Sequence, residues 1–259
     1  MEKRRHALLL AYDGGAFRGF QRQPGMPTVQ EALETALRPL GLTGRLDVAA
    51  RTDAGVHALG QVVTFWARGA PEGAALRAAV NAATPPALLC VEAARVHPST
   101  HARASARSRC YAYLVGTPVP EVLAGRAWSL PDERAFPGLA EPRLDAGAVA
   151  AALRLAVGEH DFAGFARPGE QRDTVRTLLS AQVIPAEGQP LWAVVLRGRG
   201  FLRAMVRNLV GTAVAAGLGL LPPERISEIL ARPARYRGVR APAWGLTLQG
   251  VEYEPPLFP

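Results

Sequence analysis

Apolar positions recur along the chain with two periods, near 2 and near 3.6 residues, and their order predicts the elements. Arg5 to Tyr12 reads as a strand, and Asp13 to Pro27 is a loop rich in Gly and Pro. Thr28 opens a helix. Glu31 stands three residues on in a capping-box spacing, and Val29, Leu33, Ala36, Leu37 and Leu40 share one face. Pro39 and Gly41 end that helix. Short strand patterns follow at Leu46 to Ala50 and Val62 to Ala67, then a helix over Ala74 to Ala83 stopped by Pro85-Pro86, then a strand over Leu88 to His97. The order is strand, helix, strand, strand, helix, strand, which is the split unit of ferredoxin-like folds.

The second half repeats that order without visible sequence repetition. Ser108 to Gly116 reads as a strand, Asp145 caps a helix over Ala146 to Val157, and Val175 to Ile184 and Leu191 to Arg197 are strands joined near Glu187-Gly188. A helix over Phe201 to Leu218, a short extra helix over Pro223 to Ala231 and a strand over Leu246 to Tyr253 complete it. The expectation is an α+β chain of two ferredoxin-like βαββαβ units side by side, forming an extended, mostly antiparallel sheet with a basic cleft. The units are placed at residues 1–104 and 105–259. Glu133 to Arg143, charged and broken by proline, is the expected mobile loop.

Composition narrows the partners. At 259 residues and 49% apolar, the chain can bury a substantial core. A formal net charge of +8 points to an anionic partner, nucleic acid before membrane. Lys3 is the only lysine, so almost every cation is an arginine, whose fork pairs with phosphate in bidentate fashion. Cys90 and Cys110 stand apart with no Cys-x-x-Cys, which argues against a zinc site or disulfide scaffold and fits a reducing, cytoplasmic compartment. The apolar start is too short for a signal peptide, and Leu209 to Leu221 is too short to span a bilayer.

Candidate chemistry concentrates between Leu46 and Ala67. The loop there carries Arg51, Thr52, Asp53, Gly55 and His57, that is, a fixed cation, a hydroxyl, a carboxylate and an imidazole within seven residues. Loops held by a rigid scaffold are where chemistry concentrates, and an Arg two residues from an Asp helps keep a half-buried carboxylate ionised. The plain alternative is a hairpin loop with a solvated Asp and a structural His. Asp13, Asp47, Asp161 and Asp173 are rival carboxylates without such neighbours.

The string Ala50-Arg51-Thr52-Asp53-Ala54-Gly55-Val56-His57 resembles the signature around the catalytic aspartate of the bacterial tRNA pseudouridine synthase A family, with Ala50 in place of Gly. Further segments match that family in order. They are Tyr12-Asp13-Gly14 with Gly19-Phe20-Gln21-Arg22-Gln23, Gly60-Gln61-Val62-Val63, His101-Ala102-Arg103 with Ser105-Ala106, Tyr111-Ala112-Tyr113, Gly158-Glu159-His160-Asp161-Phe162 with Phe165, and Phe201 with Met205-Val206-Arg207-Asn208-Leu209-Val210-Gly211. Phe20 stands where the family has Trp, and Cys110 where it has a basic residue; both changes bear on RNA contacts.

The resemblance implies an isomerase acting in tRNA processing. It would convert uridine to pseudouridine at positions 38, 39 and 40 of the anticodon stem–loop, with base flipping, without metal or cofactor, as a homodimer. Asp53 is the implied nucleophile and Arg207 its catalytic partner, with Tyr111, Arg51, Gln21 and Arg22 on the substrate. A carboxylate can add to C6 of the uracil, add to C1′ of the ribose, or remove the C2′ proton, and the sequence does not choose among these. Arg103, Arg107, Arg109, Arg167 and Arg172 join Arg22 as candidate phosphate contacts. The alternative of another class is a non-catalytic RNA-binding protein using tandem ferredoxin-like sheets, which lacks the RNP-type aromatic run. A metal-dependent nuclease or deaminase is disfavoured because no His-x-Glu…Pro-Cys-x-x-Cys pattern and no cluster of metal ligands stands out in the sequence.

Overall fold

The computed structural model describes residues 2–167, 169, 173–232 and 238–258. In chain order the elements are β1 (Lys3–Tyr12), α1 (Val29–Leu37), β2 (Leu42–Val48), β3 (His57–Arg68), α2 (Gly73–Ala83), β4 (Leu88–Arg95), β5 (Ala106–Gly116), β6 (Trp128–Ser129), α3 (Ala146–Arg154), β7 (Gly158–Asp161), β8 (Val175–Pro185), β9 (Leu191–Gly198), α4 (Met205–Gly217), α5 (Arg225–Ala231) and β10 (Leu246–Tyr253). The chain is mixed α+β with mostly antiparallel pairing, and the split βαββαβ order occurs twice. It divides into two compact units, Met1–Arg109 with Thr247–Pro259, and Cys110–Leu246.

In the first unit β1 is central. It pairs antiparallel with β3 (Leu8↔Val63) and β4 (Leu8↔Ala93), and β2 pairs antiparallel with β3 (Val48↔Val63). Side chains alternate across the sheet. Leu8, Leu10, Val63 and Phe65 are buried, as are Val29, Leu33 and Leu37 of α1 and Leu76 and Val80 of α2. On the other face Ala49, Val62, Ala102 and Tyr253 form a small core, covered in part by Leu257 and Phe258. Thr28 caps α1 as its spacing predicts, its side chain accepting from Glu31 N at 3.3 Å.

β3 is longer at its start than its residue pattern suggests. Its first residues do not pair with β2; His57 and Ala58 instead take β10 as a parallel neighbour (Thr247↔His57, Leu248↔Ala58). Partner exchange on this edge explains Gly60, where a Cβ would meet the Gln249 backbone. Chain 50–56 is thereby released from the backbone ladder between the end of β2 and the start of β3.

In the second unit the strand order is β5, β9, β8, β7, with β8 antiparallel to β9 (Ala181↔Leu196) and to β7 (His160↔Arg176). β7, which has no apolar period of its own, adds an edge strand. Asp145 caps α3 by accepting from Gly147 N and Ala148 N. α4 is buried almost all round and packs on α3; at Gly217 a Cβ would lie 2.5 Å from Val149 Cγ2, so the glycine permits the close approach. α4 begins at Met205, later than the expected Phe201, because Ala204 takes a left-handed conformation (φ 65°). Phe136, within the expected mobile loop, is buried and stacks on Trp128 at 5.6 Å. No described helix is long and apolar enough to cross a membrane.

Candidate active site

The Asp53 loop is held at nearly every residue of its first arm. Ala49 N donates to Val62 O at 2.9 Å, the last backbone bond before the loop leaves the sheet. Ala49 O accepts from Arg109 Nη2 at 3.0 Å and Nε at 3.3 Å. Ala50 is paired by a side chain: Gln61 Nε2 donates to Ala50 O at 2.6 Å, and Ala50 N donates to Gln61 Oε1 at 3.3 Å. Phe20 N donates to Thr52 O at 3.1 Å, and the Thr52 hydroxyl lies 2.8 Å from Tyr12 OH. Val56 N donates to Asp53 O at 3.2 Å, closing the turn, with Gly55 at φ 81°. Asp53 is half-buried, with Arg51 and Ala54 exposed on either side of it.

The loop after β1 forms a floor under this arm. A methyl group at Gly14 would lie 2.2 Å from Val56 O, and one at Gly19 would lie 3.0 Å from Thr52 O. Backbone therefore packs against backbone. His57 opens β3 and is buried; Gly14 N donates to its Nδ1 at 3.1 Å, and Asp13 Oδ1 lies 3.2 Å from the same nitrogen.

The rival aspartates are occupied locally. Asp13 Oδ1 accepts from Gly15 N, and Asp47 bonds Arg5 Nη2 at 2.6 Å. Asp161 accepts from Ala163 N and the Thr174 hydroxyl, and Asp173 from Val175 N.

Of the other candidate site residues, Arg51, Gln21 and Arg22 belong with Asp53 to the first unit, and all three are exposed. Arg22 pairs with Glu31 at 3.4 Å and Glu34 at 3.3 Å on α1. Tyr111 and Arg207 belong to the second unit. Tyr111 is 7% exposed and packs edge-on to Phe201 with centroids 5.3 Å apart. Arg207 is half-buried on α4, its Nε donating to Ala241 O at 2.7 Å. Beside it Asn208 is fully buried, donating to Phe165 O at 2.6 Å and accepting from Arg240 Nε at 3.0 Å.

Two expectations about RNA contacts need correction. Arg109 is 7% exposed and spends its guanidinium on backbone carbonyls of Ala49, Arg103 and Ala106, so it braces the loop from within. Phe20 is 1% exposed, so its replacement of Trp is a core change. Arg103 and Arg167 are exposed, Arg107 is exposed 3.6 Å from Glu254, and Arg172 lies outside the described residues. Sequence pattern alone gives Tyr12 and Gln61 no chemical role and Thr52 only a hydroxyl in the loop, although each stands inside a matched segment.

Fold and site define a protein that presents a half-buried carboxylate on a braced loop between two paired strands of a mostly antiparallel α+β sheet. The model of the family described as tRNA pseudouridine synthase matches residues 9–105 and 152–254. Among curated relatives, the tRNA pseudouridine synthase A of Syntrophotalea carbinolica is 40% identical over 254 residues, covering 96% of either chain. That of Solibacter usitatus is 38% identical over 259 residues, 96% of this chain and all (100%) of the relative. That of Frankia casuarinae is 41% identical over 252 residues, 95% of this chain and 88% of the relative. The chain belongs to the tRNA pseudouridine synthase family, a family of isomerases.

Proposed function

We propose that this protein converts uridine to pseudouridine in the anticodon stem–loop of tRNA, at positions 38, 39 and 40, with Asp53 as the nucleophilic carboxylate. The observation that carries this reading is the half-buried Asp53 on a loop braced by Gln61, Tyr12, Phe20 and Arg109. Isomerisation detaches uracil from C1′, turns it and rejoins it through C5. A carboxylate serves this by adding to C6 or C1′, or by taking the C2′ proton. All three routes need it ionised and fixed.

Arg207 is assigned as the second catalytic residue, a half-buried cation suited to keeping a carboxylate ionised. Tyr111 is assigned to the uracil, where a ring can stack and a phenol can move a proton. Arg51, Gln21 and Arg22 are assigned to substrate binding, Arg51 either orienting Asp53 or holding a phosphate. Arg22, half-exposed, would exchange its pairs with Glu31 and Glu34 for phosphate. A paired uridine must be flipped out, at a cost of a few kcal/mol. Phosphate contacts offset that cost and make binding steeply salt-dependent. Two copies of the chain acting on one tRNA complete the proposal.

The test is incubation with unmodified tRNA followed by nucleoside analysis. Asp53→Asn is expected to abolish pseudouridine while tRNA affinity stays within about tenfold, because the loss falls on the chemical step. Product formed by the variant at the wild-type rate would remove Asp53 from the mechanism.

A further inference from the structure

We propose that Gln61, Tyr12 and Thr52 form a directional hydrogen-bond relay that positions the Asp53 carboxylate for the chemical step; this rests on Asp53 being the catalytic carboxylate. The orientation of the relay follows from its bonds. Gln61 is fully buried (0% exposed), and its amide is locked by backbone at both ends. Its Oε1 accepts from Ala50 N at 3.3 Å and Val62 N at 3.2 Å, and its Nε2 donates to Ala50 O at 2.6 Å. The same nitrogen donates to Tyr12 OH at 3.3 Å. Tyr12 oxygen thus accepts, and its proton goes to Thr52 Oγ1 at 2.8 Å. Burial pushes the Tyr12 phenol up to about 12, so it stays protonated near neutral pH and keeps a proton to donate.

Thr52 is held twice, through its hydroxyl by Tyr12 and through its carbonyl by Phe20 N. Rotation about its backbone, which would swing Asp53, breaks one of these bonds. An apolar trio of similar shape would fill the same space without the desolvation cost of buried polar atoms. A satisfied buried network instead fixes one arrangement. Gln61 also supplies a rung of pairing to Ala50 where no strand neighbour does, so the brace starts at the sheet and ends one residue before the carboxylate.

Tyr12→Phe removes one oxygen and keeps the ring. Thr52→Val removes the hydroxyl at constant shape, and Thr52→Ser keeps it. Pseudouridine formation is measured at saturating and at limiting tRNA, with thermal melting alongside. Tyr12→Phe and Thr52→Val are each expected to lower kcat by about tenfold or more, as small misplacements of reacting groups do. KM should stay within about twofold, Thr52→Ser within about threefold of wild type, and the double variant no worse than the poorer single one, as for groups acting as one unit. Unchanged kcat in Tyr12→Phe, additive losses in the double variant, or a lowered melting temperature with kcat intact would each overturn the relay. If Thr52→Val does not fold, Tyr12→Phe decides alone. Activity retained by Asp53→Asn would instead sink the underlying reading, whatever the relay variants do.

Discussion

Gly14→Ala tests the mechanics of the loop from 39 positions away in sequence. The added methyl would lie 2.2 Å from Val56 O, 2.3 Å from Val56 C and 2.8 Å from Gly55 C. All three are backbone atoms, so no flexible side chain can yield. Restoring ordinary contact requires a shift on the order of 1 Å between the floor and the Asp53 loop. Overpacking of this kind costs about 1–3 kcal/mol, and a displacement of about 1 Å at a reacting group can cost on the order of a hundredfold in rate. Gly14 does not need a left-handed backbone, so the effect is steric alone. The assay is kcat for pseudouridine formation with melting temperature in parallel, and Gly250→Ala, where nothing lies within 4 Å of the new methyl, is the control. A Gly14→Ala protein that melts and turns over like wild type would refute the account of a rigid floor.

Two further perturbations separate stability from chemistry. His6 is buried against Phe65, its Nδ1 without a hydrogen-bond partner, and burial holds its pKa below 6.5; Glu72 opposes that shift, and Arg95 and Arg4 add to it. The unfolded chain therefore takes the proton more readily, so stability should fall as pH drops below about 6.5 towards the folded-state value, and His6→Phe should flatten that slope in denaturant titrations followed across pH. Ala204→Gly relieves the left-handed residue at the start of α4 and is expected to raise stability by up to about 1 kcal/mol; an unchanged or lowered denaturation midpoint would count against strain there.

Local pattern sufficed for the elements that bury one face. Thr28 and Asp145 cap their helices where the spacing places them, and Leu246–Tyr253 is a strand with the expected limits. It failed where residues answer to distant backbone. The first five residues of β3, His57 to Gln61, read as loop because Gly60 and Gln61 interrupt the pattern. Gly60 is there because β10 passes close to it, and Gln61 because Ala50 needs a partner. β7 is paired by β8 and has no period of its own. The expected unit boundary at residue 104 stands beside a compact division at Arg109 that returns Thr247–Pro259 to the first unit, since a late strand can close an early sheet only in three dimensions.

The site divides in the same way. The run from Arg51 to His57 singles out Asp53 as a candidate in the sequence because a carboxylate, a cation, a hydroxyl and a tight turn are there neighbours in the chain. Which groups hold it still was settled by folding. Arg109 turns inward to carbonyls, His57 becomes a strand residue, and Tyr12 meets Thr52 across 40 positions of chain and Gln61 across 49. Residue order encodes the kind of chemistry and the helix and strand periods; the bracing depends on which buried donors and acceptors come to face each other, and that is fixed only when strands from distant parts of the chain pair.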